Sequence, residues 1–222
     1  VKIFEEEREL TVMLMIDVSE SLGFGSRKVL KRDMVAEIAA TLAFSAIQNN
    51  DKIGVIFFTD KVEKVIPPKK GKKHILFIIR EILGFTPGNS GTDMNMALRY
   101  MTNAIKKRCT AFLISDFIDP DDYKKALQIA NRKHDVVAIQ VYDQLSTELL
   151  PVGLMKVRDP ETGEERWINT SSRRVRENYQ NWWKSLQSNM HYAFRQSGVD
   201  SISVSTESDY VKALLQLFQQ RK

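Results

Sequence analysis

The chain has 222 residues, 43% of them hydrophobic and 27% charged, with 33 Lys and Arg against 28 Asp and Glu for a formal net charge of +5. That balance is ordinary for a folded protein and excludes a disordered chain, and no uncharged apolar stretch approaches the roughly 18 residues of a membrane span. The single cysteine, Cys109, excludes an intramolecular disulfide, and with three scattered histidines (His74, His134 and His191) it leaves no structural zinc site.

The charged opening leads into Thr11–Ile16, a continuous apolar run ending at Asp17. Such a run fits a strand buried on both faces. A glycine-containing loop, Leu22–Ser26, follows. Lys28–Gln48 then carries Leu30, Met34, Ile38, Leu42 and Ile47 near helical spacing. Ile53–Phe58 reads as a second strand and Val62–Ile66 as a short edge strand stopped by Pro67–Pro68. Lys72–Leu83 predicts a helix, and Thr86–Thr92 (TPGNSGT) a loop rich in breakers. Then come a helix over Met94–Lys107, a strand over Thr110–Ser115 ending at Asp116, a helix over Asp121–Asn131 and a strand over Asp135–Val141. Strands alternating with helices predict an α/β fold with a mainly parallel, doubly wound, Rossmann-like sheet flanked by helices.

Gly153–Arg158 and Arg166–Asn169 flank the turn sequence Asp159–Glu164, so a β-hairpin is expected, as an insertion over about residues 151–170. A long helix, Ser172–Gln196, carries the stripe Val175, Tyr179, Trp182, Leu186, Met190 and Ala193. A last strand, Ser201–Val204, and a last helix, Asp209–Gln220, complete the pattern. With no repeat and no flexible linker, residues 1–222 are expected to form a single domain. The chain opens at Val1 without an initiator methionine or a visible signal peptide. An upstream N-terminal region and a reducing, cytoplasmic home are therefore expected.

The basic clusters Lys28/Lys31/Arg32, Lys69/Lys70/Lys72/Lys73 and Arg173/Arg174/Arg176 lie in separate segments and read as solvated faces. Without a concentrated basic stripe, no nucleic-acid partner is expected. Met13, Met15, Met34, Met94, Met96 and Met101 read as core filling, and Cys109 as a small buried residue at the start of a strand.

Three places share one chemistry: polar oxygens at the carboxyl end of an apolar strand or in a loop leading to a helix. They are Asp17-Val18-Ser19-Glu20-Ser21, then Thr92 in Ser90-Gly91-Thr92-Asp93, then Asp116 after Phe112–Ser115. In open α/β sheets the carboxyl ends of the strands form the ligand crevice, so the three can converge. Two carboxylates and three hydroxyls are hard ligands, suited to Mg²⁺ or a similar ion and unsuited to zinc or copper. Neutral hydroxyls leave the ion under-neutralised, so an Asp or Glu from a protein partner can complete its shell. Singly, each residue has a plainer role. Ser19 or Ser21 can cap a turn, Thr92 a helix, and the two aspartates can accept backbone N–H groups. Jointly, the set reads as a metal site.

Asp17-x-Ser19-x-Ser21, Ser90-Gly91-Thr92 and Leu113-Ile114-Ser115-Asp116 resemble the metal-ion-dependent adhesion site of von Willebrand factor A (VWA) domains over about residues 11–145. The resemblance implies Mg²⁺ or Mn²⁺ held by Asp17, Ser19, Ser21, Thr92 and Asp116, in part through water. Phe4–Leu10, Leu150–Leu154 and Arg158–Gly163 further resemble the bacterial domain-of-unknown-function 58 family. That resemblance implies an adaptor or chaperone-like partner of a MoxR-type AAA+ ATPase, without enzyme activity. There are two departures. Phe117 stands where many A domains carry Gly, and Glu20 adds a carboxylate to the first motif, where it is expected to face solvent.

Three rival readings stand beside this one. Asp17 at a strand end resembles a phosphoryl-transfer aspartate, but the acid needed two residues on is Ser19. A metal-free scaffold with a vestigial site is the second. A nucleic-acid binder using Trp182–Trp183 beside the arginines is the third, against which Trp182 is expected on the core stripe.

Overall fold

β1 (Thr11–Asp17) is buried from Val12 to Asp17, which explains an apolar run without alternation: both of its faces are covered. The structure is a computed structural model describing residues 10–23, 30–88, 91–119, 121–158 and 164–221. The other strands are β2 (Lys52–Phe58), β3 (Val62–Lys69), β4 (Thr110–Ser115), β5 (Asp135–Tyr142), β6 (Leu154–Arg158), β7 (Glu165–Asn169) and β8 (Asp200–Ser205). Six of them form one sheet in the order β3-β2-β1-β4-β5-β8. All neighbours in it are parallel except β3, which runs antiparallel at one edge. β6 and β7 pair separately as an antiparallel hairpin. Its expected turn at Asp159–Glu164 lies, apart from Glu164, outside the described residues.

The helices are α1 (Lys31–Gln48), α2 (Lys72–Gly84), α3 (Met94–Ala104), α4 (Lys124–Lys133), α5 (Arg173–Ser197) and α6 (Tyr210–Gln220). Successive β1 side chains serve opposite faces, as the pleat requires. Val12, Leu14 and Ile16 join a core with Ile38 and Leu42 of α1, Ile78 of α2 and Leu217 of α6. Met13 and Met15 join another with Leu98 and Met101 of α3, Leu127 of α4 and Phe194 of α5. The sheet is thus covered on both sides, the expected doubly wound arrangement, and the six methionines read as core filling pack into its two cores. No helix among the described residues is long and apolar enough to cross a membrane.

Several boundaries differ from the sequence reading. The structure describes α1 from Lys31; Lys28 and the loop residues Phe24–Ser26 lie outside the described residues. α3 ends at Ala104, because Ile105 is extended and packs into the second core, so Lys106 and Lys107 leave the helix. α4 begins at Lys124, since the Asp119 and Asp122 carboxylates accept the N–H groups of Asp121 and Lys124 and hold a turn there. Trp182 is not on a core stripe: it is 46% exposed. Deep burial on α5 is confined to Met190, Ala193, Phe194 and Ser197, in its C-terminal part. Trp183 instead approaches Tyr142 at the end of β5, with ring centroids 6.4 Å apart.

β3 runs on through Pro67 and Pro68 to Lys69 instead of stopping at the prolines. An edge strand tolerates this because its outward amides need no partner. The register against β2 shifts between Ile53 and Val55, where Gly54 sits. A Cβ at Gly54 would lie 2.7 Å from the Ile66 carbonyl oxygen, 2.8 Å from the Pro68 nitrogen and 2.9 Å from the Met13 Sδ. Two of those three neighbours are backbone and cannot rotate away. Gly54→Ala should therefore destabilise the fold by about 1–3 kcal/mol, the usual range for overpacking, read as a lowered urea midpoint with unchanged slope.

Candidate metal centre

Strand register brings the predicted ligands to one place. Asp17 lies opposite Phe58 of β2, and Ile16 opposite Ile114 of β4, so the carboxyl ends of β1, β2 and β4 are level. Asp116 follows β4 directly. From β1 the chain proceeds to β2 and β3 on one side, then to β4, β5 and β8 on the other. The crevice at β1 and β4 is therefore the topological switch point of the sheet. Beside it opens a cleft of about 800 Å³ whose walls include Asp17, Ser19, Glu20, Arg32, Asp33 and Asp60.

All five predicted residues are buried, with Asp17 at 1% and Asp116 at 2% exposure. The Ser19 and Ser21 hydroxyls lie 3.1 Å apart, and Ser21 donates to Asp116 Oδ2 at 2.9 Å. Asp17 Oδ1 accepts the Ser19 amide at 2.9 Å, and Asp17 Oδ2 accepts the Ser115 hydroxyl at 2.6 Å. Asp116 Oδ1 accepts the Ile118 amide at 3.2 Å. The plainer roles of the two aspartates are thus real: each carboxylate also closes its own turn. Glu20 is exposed, as expected.

Thr92 reaches the same end of the sheet by another route. The Asp93 amide donates to the carbonyl of Thr59, which follows β2, at 3.1 Å. Thr92 does not cap α3; Asp93 does, accepting the Met96 amide at 2.8 Å. The Thr92 hydroxyl is buried and finds no hydrogen-bond partner among the described residues. Ser90 lies outside them. An orphaned buried hydroxyl is costly and calls for a ligand or water.

The sequence reading missed the roles of three residues here. Lys31, assigned to a solvated cluster, is instead buried at 3% exposure, and its Nζ lies 2.7 Å from Asp116 Oδ2. A lysine opening a helix opposes the helix dipole, and that was the available signal. Ser115 donates to Asp17 and accepts the Phe117 amide at 2.9 Å, coupling the ends of β1 and β4. Phe117 itself adopts φ 58°, the left-handed region, which glycine enters without strain. Its ring is buried edge-on against Phe194, centroids 5.0 Å apart, which offsets the strain.

Burial and the neighbouring Asp116 charge push the Asp17 carboxyl up to about 7, against the pull of its bonds from Ser115 and Ser19. One ammonium beside two buried carboxylates leaves negative charge in excess. The donor set fits a hard divalent cation, with Asp17 and Asp116 as anionic ligands and Ser19, Ser21 and Thr92 as neutral ones. Among the described residues no cluster of three or more His, Cys, Asp or Glu side chains could hold a metal, so any centre here must draw on the hydroxyls. Cys109 is no evident nucleophile. It is buried 3.3 Å from the His134 Nδ1, and burial pushes its thiol up to about 11.

The family model described as "Protein of unknown function DUF58" matches residues 1–188. An uncharacterised protein of Mycobacterium tuberculosis is 25% identical over 218 residues, 97% of this chain and 68% of that protein. The conserved hypothetical protein BatB of Bacteroides thetaiotaomicron superposes with TM-score 0.64 at 14% identity, over 95% of this chain and 98% of that one. The VWA domain of SpRpn10 superposes with TM-score 0.50 at 13% identity, over 96% and 95%. These structural likenesses show the fold: it is VWA-like.

The raised Asp17 fixes a pH dependence for the metal-free protein. The folded state keeps a proton that the unfolded chain releases between its ordinary 3.8 and about 7, so stability should fall as pH rises through that window and level off above it. Urea unfolding in EDTA at stepped pH reads this slope directly. Asp17→Asn, which cannot ionise, should flatten it; an unchanged slope would remove Asp17 as its source.

Proposed function

The chain belongs to the DUF58 family, and from that premise we propose a divalent-metal-dependent protein-interaction domain without catalytic activity. Asp17, Ser19, Ser21, Thr92 and Asp116 are its ligands for Mg²⁺ or Mn²⁺. The observation that supports this reading is two buried carboxylates and a Ser19–Ser21 hydroxyl pair at one switch point, with the orphaned Thr92 hydroxyl at the same end of the sheet. Two carboxylates balance the formal charge of the ion, but five protein ligands leave one position of an octahedral shell open. The adjoining cleft gives an outside carboxylate access to it. An Asp or Glu on a protein partner is then the recognised group, and a MoxR-type AAA+ ATPase is the partner class that family resemblance favours. The phosphoryl-transfer reading lacks its second acid, since Ser19 holds that position. The metal-free scaffold is the second reading. It is favoured by one observation, the Lys31–Asp116 ion pair, which already supplies a cation to the site.

The test is thermal unfolding in EDTA against millimolar Mg²⁺ or Mn²⁺, for the wild type and Asp17→Ala. An ion that binds the native state alone raises its apparent stability by about 2.7 kcal/mol at a hundred times its Kd. The melting temperature of the wild type should rise and that of Asp17→Ala should not. Equal rises in both would remove Asp17 from the ligand set, and no rise in either would favour the metal-free scaffold.

A further inference from the structure

Lys31 is the first residue of α1, where the helix dipole disfavours a cation. Burying its ammonium adds a desolvation cost. It is nevertheless nearly inaccessible and held 2.7 Å from Asp116 Oδ2. The same oxygen accepts the Ser21 hydroxyl. Lys31 therefore engages the lone pairs that Asp116 would offer a metal, among the same hydroxyls. An ammonium and a divalent ion sharing one carboxylate oxygen in a buried site repel strongly, because little water screens them.

We propose that Lys31 is a built-in competitor for the metal. Its ammonium balances the Asp116 carboxylate while the site is metal-free, and loading of the divalent ion expels it. This rests on the metal reading given above and adds a regulation to it. Lys31 begins the helix whose next residues, Arg32 and Asp33, stand in the wall of the cleft with Glu20. Expelling the side chain from the site disturbs that turn, so loading reshapes the surface that a partner meets. The competition also sets a threshold: apparent metal affinity is reduced by the fraction of molecules in which Lys31 holds Asp116.

The probe is Mn²⁺ alone, titrated calorimetrically into the wild type, Lys31→Met and Asp17→Ala. Lys31→Met keeps the length of the side chain and removes its charge. It should bind Mn²⁺ at least about ten-fold more tightly than the wild type, while Asp17→Ala should not bind. Wild-type binding that depends on Asp17, with Lys31→Met equal or weaker, would overturn the competitor and leave the metal site standing. No binding in any of the three would overturn both, since the variant lacks the competitor. A second readout needs no variant at position 31. Amine acetylation of the wild type, followed by mass spectrometry, should label Lys31 slowly in EDTA and faster in saturating Mn²⁺. Labelling of Lys31 that Mn²⁺ leaves unchanged, in protein shown to bind it through Asp17, would overturn the proposal even if Lys31→Met failed to fold.

Discussion

Two carboxylates buried side by side, Asp17 and Asp116, set the constraint around which the carboxyl end of the sheet is arranged. Burying an ion costs several kcal/mol even after relaxation, and a second like charge beside it raises the cost further. The neighbourhood offsets this in three ways. Backbone amides of Ser19 and Ile118 donate to the carboxylates. The Ser115 and Ser21 hydroxyls cross between strands to reach them. The Lys31 ammonium closes the remaining gap. The parallel sheet makes this possible, because in-register β1, β2 and β4 deliver their loops to one level.

Most of the architecture was legible because buried parallel strands leave a strong signal. Thr11–Ile16, Ile53–Phe58 and Thr110–Ser115 are apolar without alternation, and only a sheet covered on both faces makes that pattern necessary. Helix ends were less legible, because competing carboxylates at Asp119 and Asp122 and the half-buried Ile105 decide them through tertiary contacts. The stripe on α5 misled for a related reason. Period alone says which residues share a face, but not how far along the helix the core extends, and here it ends near Met190.

The candidate site was legible in its acids and hydroxyls, whose types and spacing carry chemistry. Its supporting residues were not. Lys31 sits beside Arg32 in a run that composition reads as solvent-facing, and only its burial against a residue 85 positions away reveals its role. Phe117 was marked as a departure from a glycine pattern. The left-handed backbone explains both sides of that departure: a turn this tight after Asp116 asks for glycine, and an aromatic core residue can hold it instead. The chain thus trades local ease for an anchor that ties the loop after β4 to α5.

The paired prolines of β3 have a consequence for how the molecule meets its own copies. Successive amides along a strand point to opposite edges, so deleting two in a row removes one donor from the outer margin of the sheet. Lys69, the last residue of β3, adds a positive charge beside the prolines. A strand arriving from another molecule would find a broken ladder and a repelling fringe there. This margin is thereby guarded against edge-to-edge association, the route by which open sheets polymerise.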